Sequence, residues 1–218
     1  MSERSRRPYA KGISTREEIL DRALPILNER GLDTTYDELV LALGVSKGRI
    51  THHFSTKDNL VQALSDRCGE ALDEAGRLPE GPWTLSDVAD SFRRSLDVIH
   101  TYRVIYIASM TATTPGSMLH EKAKMTFMHR MTSVRPFLQV LVQLGILEPK
   151  ILDQRHCDAA TAALVMSFIS WPIYRQNAAA HLSQSFSRSV ALRSCMLTLM
   201  PYLTKQARTE FDVLFATL

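Results

Sequence analysis

Residues 45–57 read Val-Ser-Lys-Gly-Arg-Ile-Thr-His-His-Phe-Ser-Thr-Lys, with three cations, two histidines and no acid. Ile50 and Phe54 stand four apart, so a helix here buries both on one side and leaves Lys47, Arg49, Thr51, His52 and His53 on the others. Ser46 is a natural N-cap for it. Upstream, Thr35 and Glu38 have capping-box spacing and open a shorter helix with Leu39, Val40 and Leu43 inward, closed by Gly44. Before that, Ser14 or Thr15 with Glu17 or Glu18 opens a first helix, whose apolar stripe of Ile19, Ala23 and Leu27, flanked by Leu20 and Leu24, runs down to Gly31. Pro25 falls inside this helix, removes the bond to Asp21, and predicts a bend or a split last turn.

Two short helices joined through a glycine-containing turn form a helix-turn-helix, in which the second lays its N-terminal residues against base edges in the major groove. Here those residues are Ser46, Lys47, Gly48 and Arg49. The fork of Arg49 suits guanine, because it can bond O6 and N7 together. Lys57 follows a fresh cap at Thr56, where its charge and the free amides of the next helix can meet a phosphate. Arg4, Arg6, Arg7 and Lys11, set against the single acid Glu3, make residues 1–13 a basic arm suited to the DNA backbone or the minor groove.

Thr15-Arg-Glu-Glu-Ile-Leu, Glu29-Arg-Gly, Thr35-Tyr-Asp-Glu-Leu, Gly44-Val-Ser-Lys-Gly, His52-His53-Phe54 and Lys57-Asp-Asn-Leu60 together resemble the N-terminal domain of the TetR family of transcriptional regulators. The resemblance spans about Ser14 to Leu64. It implies that Lys47, Gly48, Arg49 and His52 face bases, and that Thr35, Thr51, His53 and Lys57 touch phosphates or the groove wall. Three departures stand out: Thr51 sits where the family usually has Tyr, Arg49 where Thr is common, and Pro25 falls inside the first helix.

The remaining chain predicts helices throughout and no alternating strand, nine or ten helices in all. The fold class is therefore all-α. Residues 14–60 form the DNA-binding domain and 61–218 a larger helical domain, which the resemblance makes the ligand-binding, dimerising part. A fourth helix spans about Lys57 to Arg77. A fifth starts at Thr84 or Ser86, a sixth covers Arg103 to about Thr113, and a seventh runs from about Ser117 to Leu144 with a kink at Pro136. An eighth runs from Asp153 to about Ala180, a ninth opens at Ser183 or Ser185, and a short tenth ends the chain.

Phe92, Tyr106, Met110, Met128 and Met131 cluster in the central helices, with Phe168, Trp171 and Tyr174 on the eighth and His100 as a polar group. Helical-bundle pockets have this makeup, although core packing accounts for the same residues. The ligand so implied is a small, largely apolar molecule. The eighth helix is apolar nearly all round and must be covered on every side. Leu164 and Phe168 on it, with Val190, Met196 and Leu199 on the ninth, are therefore candidates for a four-helix homodimer interface. A two-fold dimer sets two reading heads about 34–36 Å apart, matching palindromic operator DNA.

A composition of 218 residues, 45% apolar, with net charge +3, is ordinary for a globular protein. No apolar run follows the arginines, so no secretory signal is expected and the chain is assigned to the cytoplasm. Ala159 to Tyr174 is too short and too interrupted by Pro172 for a membrane span. Cys68, Cys157 and Cys195 lack metal-type spacing, as do His156-Cys157-Asp158 and His120 with His129, so neither a metal nor another cofactor is expected. No phosphate loop or nucleophile elbow appears, and nothing supports catalysis. The sequence reading is a ligand-responsive repressor; the competing one is a small-molecule-binding or enzyme domain carrying a vestigial DNA-binding head.

Overall fold

The computed structural model describes residues 15–111, 118–177 and 187–217, and these form ten α-helices. The chain divides into two compact units, one through Leu64 and one from Ser65. The expected basic arm, and Ser183 and Ser185, lie outside the described residues.

In the first unit, α1 (Thr15–Arg30) buries Ile19, Leu20, Ala23, Leu24 and Leu27. Gly31, at φ +85°, ends it and donates its N–H to Leu27 O at 2.8 Å. Pro25 does not split the last turn: the helix is continuous to Arg30. Pro25 and Asp21 are both exposed, so the missing bond lies on the wet face, where water can satisfy the freed carbonyl. Helix α2 (Tyr36–Leu43) begins with the Thr35–Glu38 capping box and ends at Gly44, φ +62°. Val40 is only half-buried, while Leu39 and Leu43 fill the core. Helix α3 (Lys47–His53) follows its Ser46 cap.

Helix α4 (Lys57–Ala75) crosses the boundary between the units, and Leu60 and Leu64 are fully buried. The second unit continues with α5 (Leu85–Thr101), capped by a Thr84–Asp87 box, α6 (Arg103–Thr111) and α7 (Met118–Gln143). A 3-10 turn, Pro149–Leu152, precedes α8 (Gln154–Asn177). The ninth helix is capped by Ser187: α9 runs Arg188–Leu199, and its cap side chain accepts from Val190 N at 3.3 Å. Helix α10 (Lys205–Thr217) is longer than the short tail expected. A bridge between Leu147 and Leu203, with Glu148 N donating to Tyr202 O at 2.7 Å, ties the segment after α7 to the segment after α9.

The core of this unit sits where α5, α7, α8 and α9 pack on one another. By length and composition α8 could cross a membrane, but Leu164, Val165 and Trp171 on it are buried inside the protein. Nor is it covered all round: Ala163 is exposed, as are Met166 (65%) and Tyr174 (59%).

Candidate functional site

Ile50 and Phe54 pin α3 from below, both essentially inaccessible. Four side-chain contacts then fix its attitude. Tyr36 donates its hydroxyl to Phe54 O, Arg22 donates to Leu43 O at the end of α2, Lys57 donates to Leu32 O, and the Arg16 guanidinium lies 5.2 Å from the Phe54 ring centroid. The first two satisfy carbonyls at helix ends that would otherwise be left open. The outer face then presents Lys47, Gly48, Arg49 and His52, all exposed.

Acids reach this face from the two helices behind it. Glu18 on α1 pairs with Arg49 at 3.1 Å and lies 3.9 Å from Arg22, while Asp37 on α2 pairs with Lys47 at 2.6 Å. The bond that Lys47 donates to Asp37 is the main reason the Lys47 ammonium titrates above its ordinary range. A Cβ at Gly48 would meet nothing within 4 Å, and its φ is not positive, so the chain itself does not require glycine there.

The residues assigned to phosphates are differently placed. Thr35 Oγ1 donates to Glu38 Oε2 at 2.8 Å and accepts from Glu38 N at 3.3 Å, so its proton is committed to the capping box. Thr51 Oγ1 donates back to Lys47 O (3.0 Å) or Gly48 O (3.2 Å). The Lys57 ammonium uses one of its three donors on Leu32 O. His53 is half-buried, edge-on to His52 with centroids 4.9 Å apart.

The second unit contains a cavity of about 220 Å³. Of the residues expected to hold a ligand, it brings together Phe92, Tyr106, Met110 and Phe168. It does not include His100, Met128, Met131, Trp171 or Tyr174. Trp171 is core, Met128 and Tyr174 are more than half exposed, and His100 lies elsewhere, its pKa lowered first by burial and then by Arg188, Arg175 and Arg103. None of the described α7 methionines lines the cavity. Met125 and Met128 face solvent, whereas the stripe Thr126, Arg130, Ser133 and Phe137 lines the cavity. Three- and four-residue spacing of mixed polar and aromatic residues was the available signal.

Among the expected interface residues, Leu164, Met196 and Leu199 are at most 3% exposed and belong to the protomer's own core, and Phe168 lines the cavity. Of these only Val190 is exposed; Leu197 (43%), two turns along α9, and Met166 and Tyr174 on α8 are also large apolar groups left outside. The Nδ1 of His156 meets the Tyr202 hydroxyl at 3.1 Å.

Residues 19–64 match the family model "Bacterial regulatory proteins, tetR family", and residues 67–211 match the TetR model "Bacterial transcriptional repressor". No curated protein matches the sequence. Among solved structures, a TetR-family transcriptional regulator from Marinobacter aquaeolei VT8 superposes with a TM-score of 0.80 at 19% identity, over 94% of this chain and 98% of that one. TylP, a TetR regulator from Streptomyces fradiae, gives 0.64 at 20% identity over 95% and 97%. A gamma-butyrolactone receptor (ArpA-like protein) gives 0.61 at 18% identity over 93% and 95%. At these identities the likeness is one of fold.

Proposed function

The chain belongs to the TetR family of bacterial regulatory proteins, and from that premise we propose that it is a cytoplasmic, homodimeric repressor released from palindromic operator DNA by a small, largely apolar molecule. Residues 14–60 read DNA, and 61–218 bind the ligand and dimerise. The observation that carries the reading is the outer face of α3, where Lys47, Gly48, Arg49 and His52 stand exposed over a fully buried Ile50 and Phe54. A helix anchored this firmly and bare of apolar groups on its outer side is built to meet a polar surface.

In this reading Arg49 reads guanine, Lys47 and His52 meet neighbouring base edges, and Gly48 lets the backbone come close to them. Lys57, with two donors remaining, and His53, Thr35 and Thr51 flank the backbone. Helix α4 couples the two tasks: its first half carries Leu60 and Leu64, and its second half lines the cavity through Leu72. A ligand that reseats Leu72 changes the preferred position of α4, and with it the spacing of two heads in a dimer. Dimerisation uses the exposed faces of α8 and α9 around Met166, Val190 and Leu197, not the buried residues.

Selection of bound duplexes from a random pool, followed by titration of the selected operator, tests the proposal. Arg49→Ala should cost about 1–3 kcal/mol at one base position, and Lys57→Ala should weaken all sequences alike. Recovery of no common sequence, with affinity indifferent to both substitutions, would sink it.

A further inference from the structure

The cavity is walled mainly by apolar groups, among them the tilted and edge-to-face rings of Phe92, Phe137 and Phe168, with centroids 5.6–6.0 Å from that of Phe92. Its polar groups are few and unequal. Ser91 spends its proton on Gly76 O and Ser133 on His129 O, so both offer lone pairs. Arg130, the one cation among the described lining residues, is held by Asp73 at 3.2 Å, and none of those residues carries a carboxylate. Tyr106 differs. Its hydroxyl, like those of Ser95 and Thr126, bonds no described residue, and burial holds the phenol protonated well above its ordinary range, against a weaker pull from Arg130. A half-buried donor that lines the cavity and bonds no described residue is a polar feature that a ligand would complete.

We propose that the cavity takes a small uncharged molecule with an aromatic or aliphatic body and a single carbonyl acceptor of the ketone or ester type, seated on the Tyr106 hydroxyl. The aromatic walls take the body. An anion gains little, because Arg130 is already neutralised by Asp73 and the walls would strip its water. An ammonium finds no counter-charge and meets Arg130. At about 220 Å³ the space lies below the roughly 300–1,000 Å³ of drug-sized sites, which limits the ligand to a small one.

This rests on the proposed ligand role of the second unit, and a matched series separates the two. The full-length protein is titrated calorimetrically with butyrophenone, butylbenzene, phenylbutanoate and phenylbutylamine. Butyrophenone should bind at least about tenfold more tightly than either ion. Tyr106→Phe should weaken butyrophenone about five- to tenfold, the worth of one neutral hydrogen bond, while leaving butylbenzene unchanged, which also shows that the variant is folded. Equal or tighter binding of phenylbutanoate, butyrophenone binding that ignores Tyr106→Phe, or no binding by any of the four overturns the assignment. Operator release is measured separately. A protein that binds butyrophenone through Tyr106 yet stays on DNA overturns the regulatory reading alone, and one released only by phenylbutanoate overturns this inference alone.

Discussion

The carboxylate of Glu18 on α1 holds the guanidinium of Arg49 on α3, Oε2 to Nη2, at 3.1 Å. Both side chains are 47% exposed, so the pair adds about 0–1 kcal/mol to stability and its importance lies in binding. It offsets the charge of Arg49, the residue proposed to read a base, until a base competes for the fork. Random phosphates then gain less from Arg49 than a correctly placed guanine does. Glu18→Gln should therefore raise non-specific duplex affinity a few-fold and steepen its salt dependence by about one counterion. Specific affinity should gain less, lowering the specificity ratio. Binding isotherms across a salt series check this, and an unchanged slope would remove Glu18 from the account.

Gly48 sits inside α3 with open space where a Cβ would be. Gly48→Ala should stabilise the protein by about 0.5–1 kcal/mol, since glycine costs that much in a helix interior, while weakening operator binding. Denaturant melts read alongside DNA titrations separate the two effects. Stabilisation without loss of affinity would mean that no surface approaches Gly48.

Leu197 and Leu199 stand two residues apart on α9, one 43% exposed and one fully buried. Leu199→Ala should cost about 2–5 kcal/mol through the cavity it leaves. Leu197→Arg should instead leave the protomer folded and shift it from dimer to monomer in sedimentation. A dimer that persists in Leu197→Arg would place the interface elsewhere.

Burial pushes the Cys68 and Cys195 thiols up to about 12 each. The thiolate is the reactive form. At pH 8 both should be inert to a thiol reagent in the native protein and react at once in denaturant. Rapid native labelling of Cys68 or Cys195, located by peptide mapping, would contradict their burial.

Thr35 donates its backbone N–H to Glu38 Oε2 at 2.7 Å, and this bond, with that from the Thr35 hydroxyl, holds the Glu38 carboxyl below its ordinary 4.5. Thr35→Ala should cost about 0.5–2 kcal/mol of stability at neutral pH through loss of the cap. A carboxyl depressed in the folded state stabilises above its unfolded value and loses that contribution as pH falls through the folded one. The gap between Thr35→Ala and the unaltered protein should thus narrow below about pH 4.5, in pH-dependent melts.

The sequence by itself determined the helices and the reading head. Caps at Thr35 and Ser46, glycines at 31 and 44, and the four-residue step from Ile50 to Phe54 act within a turn or two of chain, and the structure places each as its spacing requires. Exposure of Lys47, Arg49 and His52 follows from the same step. What the tertiary structure alone decided is which apolar face meets which neighbour. Met196, Leu197 and Leu199 lie within one turn of α9, and Met128 and Arg130 within one turn of α7, yet the members of each group look into different surroundings. Periodicity separates the faces of a helix but does not say whether a face meets the protein's own core, a cavity or solvent. That choice is made by packing among α5, α7, α8 and α9, which are far apart in sequence. The pairing of Glu18 with Arg49, thirty-one residues away, is invisible to local spacing for the same reason.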